Sequence, residues 1–205
     1  MDKLSKTSLY EASITGVIGS STSFAGSILF IIGLTIGLFV KRIIAGYTIL
    51  FSVMLIIVGL MITYIAVSNL SKRIGNDLIR KFYLRYVALR IIALILFIAF
   101  LYIVSRINIV ELLEKGGTGI LLLVISLPIG IVSYAITIIS MVELRNSYDL
   151  IKSTTGNELF SITALTYSIG AVLQIIIIGF IILLITPILE AVSWKTLCEY
   201  SSIKQ

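Results

Sequence analysis

The stretch Ala12–Val40, ASITGVIGSSTSFAGSILFIIGLTIGLFV, runs for 29 residues without a charged side chain. A second charge-free run, Ile43–Ser71, begins directly after Lys41-Arg42. About 20 consecutive apolar residues are enough for an α-helix to cross the hydrocarbon core of a bilayer. These two runs therefore predict a pair of transmembrane helices joined by a short basic hairpin.

Three further apolar runs follow, and together they predict an all-α fold, a polytopic transmembrane bundle of about five spanning helices in one integral membrane domain, 1–205. The helices are expected near 21–41, 44–69, 84–105, 118–142 and 161–186. The first and last runs are longer than one span needs. Residues 4–19 are therefore expected either as an interfacial helix or as an extension of helix 1. Pro187 is expected to end or bend the last helix, leaving 188–200 at the interface around Trp194 and Tyr200.

Composition supports lipid as the surrounding solvent. Hydrophobic residues make up 59% of the chain and charged residues 13%, with a mean hydropathy of +1.13, whereas a soluble domain has about 25% charged residues. The chain has no histidine and a single cysteine, Cys198, which excludes an imidazole base, a histidine metal site and an intrachain disulfide. No Asp or Glu falls inside a predicted span, and Glu190 lies beyond Pro187. No enzyme activity, cofactor or metal site is expected.

The distribution of Lys and Arg predicts the orientation. With five spans, ten of these residues fall on the side of the N-terminus and six on the other side. Cytoplasmic loops carry the excess of Lys and Arg. The sequence therefore predicts a multi-pass protein of the cell membrane with its N-terminus in the cytoplasm and its C-terminus outside.

Helix 1 carries a face of small residues at intervals of three, four or seven: Gly16, Gly19, Ser23, Gly26, Gly33 and Gly37. Helices in lipid associate through close backbone approach over such residues. This face is expected to pack inside the protein, against Gly46 or Gly59 of helix 2. The alternative is a seam between two copies or between this chain and another membrane subunit.

A basic stretch, Lys72–Arg85, separates helices 2 and 3. Ile74, Leu78 and Phe82 recur every four residues, while the basic side chains project elsewhere, namely Lys72, Arg73, Arg80 and Lys81. The pattern predicts a basic helix that lies in the headgroup layer, or that extends helix 3, and contacts anionic lipid headgroups. No nucleic-acid-binding signature accompanies these charges, so no nucleic-acid partner is expected.

A possible intramembrane polar site is predicted from three residues within the spans: Arg90, Tyr134 and Gln174. Arg90 either reaches the headgroups along its own helix or contributes to a ligand site. Pro128 and Gly130 could break helix 4 and expose backbone groups to a cavity, as in transporters. A faint repeat, Gly75-Asn76-Asp77-Leu78 and Gly156-Asn157-Glu158-Leu159, marks two similar helix–loop–helix units.

The last third of the chain resembles a known family. The residues are Ser147-Tyr148-Asp149-Leu150, Thr155-Gly156 with Phe160, and the segment from Tyr167 through Gly170 and Gly179 to Phe180. They resemble domain of unknown function 996, a family of small integral membrane proteins common in archaea. Gly26-Ser-Ile-Leu with Gly33, and Ile79 with Phe82, are similar to its earlier segments. The resemblance extends from about Ser23 to Trp194 and implies an all-helical membrane fold without an assigned activity.

The sequence therefore leaves two main hypotheses for the function. The small-residue face and the lack of intramembrane acids favour a non-enzymatic protein that acts through helix–helix contact, as an accessory subunit or a self-associating bundle. The alternative is a carrier or channel for a small or lipid-like molecule, with Tyr134 and Gln174 bounding a polar cavity. A lipid-modifying enzyme is disfavoured, because histidine and buried acids are missing.

Overall fold

The computed structural model describes residues 3–39, 42–107 and 117–203, and in these residues the fold is all-α. It contains six helices: α1 Lys3–Phe39, α2 Arg42–Ile74, α3 Asp77–Val104, α4 Gly117–Thr155, α5 Leu159–Val172 and α6 Ile177–Ile203. A 3-10 turn, Leu173–Ile175, joins α5 to α6. The predicted all-α fold class is confirmed.

Both ends of the described chain are helical without interruption. Residues 4–19 are the first turns of the continuous helix α1 and not a separate helix. Within them, the Ser13 hydroxyl donates to the backbone oxygen of Trp194. Similarly, α6 continues through Pro187, so 188–200 extend this helix. Helix α4 also continues through Pro128, so the predicted break there is absent from the described residues. The predicted end of helix 1 at residue 41 lies outside the described residues.

The fifth predicted span, 161–186, is instead a hairpin of two antiparallel helices. Helix α5 with its 3-10 turn covers Leu159–Ile175, about 25 Å of rise, which is less than the roughly 30 Å of a bilayer core. Helix α6 then turns back. The two helices approach closely at the tip, where a Cβ at Gly179 would overlap the carbonyl group of Leu173. Glycine at this position therefore permits the tight turn. The prediction was wrong here because a long apolar run does not show where its backbone reverses.

The six helices form a ring. Each helix packs against the next one in the chain, and α6 packs against α1. Since the α5–α6 hairpin returns, α6 brings Trp194 back to the end of the bundle where α1 carries Ser13. The described residues therefore place the two terminal segments at the same end, which corrects the sequence-based expectation of opposite sides. We call this end, which also holds the α2–α3 and α4–α5 turns, the N-terminal end.

The small-residue face of α1 is covered within the chain. At the crossing of α1 and α2, a Cβ on Gly59 would lie 2.6 Å from the Ser23 backbone nitrogen and 2.7 Å from the Gly19 oxygen. The other contacts continue along the face: Gly26 on Ser52 and Ile56, Gly33 on Ile49, Gly37 on Ala45, and Gly16 on the indole of Trp194. Helices α2 and α6 thus occupy the surface that a seam between copies would need.

Two turns at the N-terminal end share one local geometry. Gly75 and Gly156 have φ of +73° and +77°. The side-chain oxygen of the following residue, Asn76 or Asn157, accepts a hydrogen bond at 3.1 Å from the backbone N–H two residues later. Left-handed backbone favours glycine, which is why these helices end where they do. The two tetrapeptides of the faint repeat therefore build the same turn.

We expect Gly75→Ala and Gly156→Ala each to lower the free energy of unfolding by about 1 kcal/mol, because a Cβ is disfavoured at positive φ. Equilibrium denaturation in mixed micelles checks this, followed by the fluorescence of the buried and single tryptophan, Trp194. Gly46→Ala is the matched control, since Gly46 is helical and exposed with open space around it. Equal stability of all three variants would contradict the argument.

The basic stretch is divided by the first of these turns. Lys72 and Arg73 belong to the last turn of α2, and α3 begins at Asp77. Lys72–Arg85 is therefore not one helix, because the left-handed Gly75 reverses the chain. Asp77 pairs with Arg80 at 3.6 Å. The four basic residues surround one turn at the N-terminal end, and their contact with anionic headgroups stays a prediction.

Candidate functional site: a central cavity and a buried carboxyl group

A cavity of about 610 Å³ lies inside the ring of helices. All six helices line it. Much of the wall is apolar and includes four phenylalanines, Phe30, Phe97, Phe100 and Phe180. The polar lining consists of Ser23, Ser27, Tyr86, Arg90, Ser133, Tyr134, Thr137, Tyr167 and Gln174. The cavity therefore combines a hydrophobic wall with a set of hydrogen-bonding groups and one cation.

The structure brings together the three residues of the predicted intramembrane polar site. Arg90 comes from α3, Tyr134 from α4 and Gln174 from the 3-10 turn, and all three line the same cavity. Their common location follows from the hairpin, because its tip carries Gln174 back into the bundle at the level of Tyr134. Arg90 is placed on the inner side of the ring and contributes to this lining.

Arg90 provides a positive charge without a neighbouring carboxylate. Among the described residues, the ion pairs within 4.0 Å involve other side chains, and Arg90 makes none. Its side chain is half-buried. A cation inside a membrane-spanning helix is costly unless it is paired or faces a polar cavity. An anionic group in the cavity would supply the missing partner.

Tyr134 stabilises the tip of the hairpin. Its hydroxyl donates to the Val172 backbone oxygen at 2.7 Å. In a continuous helix this oxygen would accept from the Ile176 N–H, but that N–H instead bonds to Leu173 at 2.8 Å. A backbone carbonyl released in this way needs another donor when water is excluded. The tyrosine therefore offsets the loss of the backbone hydrogen bond at the helix break and holds the tip against α4.

Gln174 presents an unsatisfied acceptor beside this break. Its side-chain oxygen is buried and has no hydrogen-bond partner in the described part of the chain. An unpaired buried polar atom costs about 1–3 kcal/mol. Gln174 also lines the cavity. The oxygen itself is enclosed by protein atoms, so other atoms of the side chain form the lining.

A buried acid, Glu190, lies next to the cavity, contrary to the expectation that no acid falls inside a span. It belongs to the candidate span Ile178–Leu197 and is 5% exposed. One carboxylate oxygen accepts from the Tyr148 hydroxyl, and the other accepts from the Tyr167 hydroxyl at 2.9 Å. The expectation failed because α6 continues through Pro187 and carries the residues after it into the bundle.

Aromatic side chains connect this acid to the cavity and to the N-terminal end. Tyr86 lines the cavity and packs edge-on against Tyr83, which stacks on Tyr148 at 6.0 Å between ring centroids. Phe160 then contacts both Tyr148 and Trp194. Trp194 is fully buried between helices and does not face the surrounding solvent, while its place at the level of the membrane interface stays a prediction. It covers Gly16, which has no side chain to displace it.

The sequence contains one signal that could have revealed Glu190. The charge-free run Leu159–Leu189 has 31 residues, about 46 Å as a single helix. That length exceeds a bilayer core by roughly half and suits two shorter antiparallel helices. In a hairpin, Glu190 directly after the end of the run would lie beside the start of the run, near Tyr148 and Tyr167.

The arrangement fits the recognition of an amphipathic molecule. Arg90 offers a positive charge, while the phenylalanines offer an apolar wall. In the described residues, no group of three His, Cys, Asp or Glu side chains is placed to hold a metal ion. Small-molecule sites are typically apolar clefts with a few convergent polar groups. The cavity has these properties.

Five long apolar helices around such a cavity define a multi-pass α-helical membrane protein. The chain belongs to the family described as "Protein of unknown function (DUF996)", which matches residues 55–188. It is 31% identical to an uncharacterised protein, MJ1644, of Methanocaldococcus jannaschii over 144 residues, 70% of this chain and 79% of the relative. No solved structure matches the chain. The family resemblance predicted from the sequence is confirmed, and the matched region contains Arg90, Tyr134 and Gln174.

Proposed function

We propose that this protein binds an amphipathic molecule with an anionic head group in its central cavity and acts as a membrane carrier for it. The observation that carries the proposal is the location of Arg90, which has no ion-pair partner among the described residues, in the lining of a cavity of about 610 Å³. The anionic group contacts Arg90, and the hydrocarbon part lies along the phenylalanine wall. The proposed role is binding and transfer without enzymatic chemistry, cofactor or nucleic acid.

The size and lining of the cavity support this ligand class. Pockets for small molecules usually measure about 300–1,000 Å³, and the cavity lies within that range. A purely polar solute would leave the phenylalanines without contacts, while a hydrocarbon would leave the Arg90 charge without a partner. A molecule with both parts satisfies both ends of the site.

A role through helix–helix contact, as an accessory subunit or self-associating bundle, has less support. That hypothesis depended on the small-residue face of α1, and α2 and α6 already cover it. A partner subunit would have to use another surface.

We also propose that the N-terminal end faces the cytoplasm of a cell membrane. The turn at this end carries Lys72, Arg73, Arg80 and Lys81, and Lys195 is at the same end because α6 returns there. An excess of Lys and Arg on the cytoplasmic side is the general rule for short loops. Anionic lipid headgroups are the proposed partners of these side chains.

Arg90→Gln tests the site directly. We expect the wild-type protein, purified in mild detergent, to retain an anionic amphiphile at about one molecule per chain, and the variant to lose most of it, because a charged hydrogen-bonded contact contributes about 1.5–3 kcal/mol. Native mass spectrometry with extraction of the bound molecules measures the occupancy. Arg106→Gln is the matched control, since Arg106 is exposed and lies over the Tyr102 ring away from the cavity lining.

A second pair of variants tests the volume of the cavity without changing its charge. Ser27→Phe places a ring in the cavity and is expected to exclude the ligand, whereas Thr35→Phe faces outward on the same helix. Both replaced hydroxyls make the same 2.9 Å bond to the backbone four residues earlier. If anionic amphiphile occupancy were the same in the Ser27 and Arg90 variants as in the wild type, the proposal would be refuted.

A further inference from the structure

We propose that Glu190 is a proton-binding site coupled to the cavity, so that the protein takes up its anionic ligand together with one proton. This inference rests on the proposed function and adds the co-bound ion. Its basis is the position of the Glu190 carboxyl group, which is buried in a membrane-spanning helix and shares Tyr167 with the cavity.

The carboxyl group has a complete set of donors in its ionised state. Tyr148 donates to one oxygen and Tyr167 to the other. The Ser20 hydroxyl of α1 lies beside the same group and donates to the Gly16 backbone oxygen at 2.9 Å. An ionised carboxylate only accepts hydrogen bonds, and a protonated one also donates. A proton that binds on the side of an oxygen facing a tyrosine therefore reverses the hydrogen bond to that tyrosine.

Tyr167 is the tyrosine that can respond. It lines the cavity, whereas Tyr148 is fully buried between Tyr83 and Phe160. When Glu190 takes the proton on the oxygen facing Tyr167, the new carboxyl O–H points at the phenol oxygen. The phenol hydrogen is then free to turn into the cavity and donate to the ligand. Protonation thus adds a donor to the site.

Electrostatics acts in the same direction. The titratable groups around Glu190 are Tyr83 and Tyr86 from α3, with Tyr148 from α4 and Tyr167 from α5. From α1 the neighbour is the uncharged Ser20. Arg90 lies further along α3 and interacts with Tyr86, while it is not among the groups that act directly on Glu190. An anionic ligand at Arg90 is repelled by an ionised Glu190, and a proton removes that repulsion.

The test measures binding of decanesulfonate, an amphiphile whose sulfonate stays ionised at every pH used. Isothermal titration calorimetry in two buffers of different ionisation enthalpy gives the affinity and the number of protons taken up. For the wild type we expect proton uptake approaching one per ligand and an affinity at least about tenfold higher at acidic than at alkaline pH, a usual size for coupling between two sites. Infrared spectra show the band of the protonated carboxyl group directly.

Glu190→Gln is expected to bind decanesulfonate without proton uptake, with the acidic wild-type affinity at all pH values, and to lack the infrared band. Tyr167→Phe should keep the band at a shifted frequency and bind with a smaller pH effect. Glu143→Gln, which removes a half-buried acid paired with Arg85 at 3.9 Å, should behave as the wild type. Wild-type binding without proton uptake overturns the coupling alone. Absence of wild-type binding overturns the proposed function and the coupling together.

Discussion

Gly59→Leu is expected to prevent folding of the bundle. The Cβ alone would lie 2.6 Å from the Ser23 nitrogen and 2.7 Å from the Gly19 oxygen, both backbone atoms that cannot rotate away. Overpacking a close contact costs about 1–3 kcal/mol, and more when backbone must move. Natural domains have only about 5–15 kcal/mol of stability. The measurement is the yield of monodisperse protein in detergent and the denaturation midpoint reported by Trp194 fluorescence.

Gly46→Leu provides the comparison on the same helix. Gly46 is exposed, and a Cβ there meets nothing within 4 Å, so this variant should be recovered at wild-type yield. Gly59→Ala should fall between the two, because it adds one methyl group at the crossing. Should Gly59→Leu yield stable protein, the close packing of α1 on α2 would not be a requirement of the fold.

The sequence predicted the first four helices because each is a long apolar run, although the third contains Arg85 and Arg90. It also predicted that six small residues of α1 share a face, since spacing along a helix determines which residues are neighbours on its surface. Spacing does not determine what covers the face. Trp194 packs on Gly16 and so connects two segments that are far apart in the sequence. No local sequence pattern predicts such a contact.

The candidate site was predictable in part for the same reason. Arg90, Tyr134 and Gln174 stand out because polar residues are rare in apolar helices. Glu190 has the same property but follows Pro187, which is typical of a helix end. Its partners also lie far away in the sequence: Tyr148 is separated from it by 42 positions and Tyr167 by 23. Only the path of the chain through the hairpin brings these groups together.

The α5–α6 hairpin and a single continuous fifth span place the C-terminal segment on opposite sides of the membrane. The location of this segment therefore distinguishes the two topologies. A reporter fused after Gln205 is expected on the same side of the membrane as the N-terminus. The reason is that α5 runs away from the N-terminal end and α6 runs back to it. Paired fusions to a fluorescent protein and to alkaline phosphatase measure this: the first should be bright and the second inactive. A chain truncated and fused after Ile107 should show the opposite pattern, because α3 ends at the other end of the bundle.

An active phosphatase after Gln205 would instead require α6 to continue in the direction of α5, and Glu190 could then not meet Tyr167. The hairpin also makes the charge distribution more one-sided, because Lys195 joins the N-terminal end. Of the chain's 16 basic residues, four belong by sequence to the stretches between α1 and α2 and between α3 and α4: Lys41, Arg42, Arg106 and Lys115. Excess positive charge selects the cytoplasmic side. A hairpin that returns Lys195 to the N-terminal end therefore increases the excess of basic residues there, in agreement with the proposed orientation.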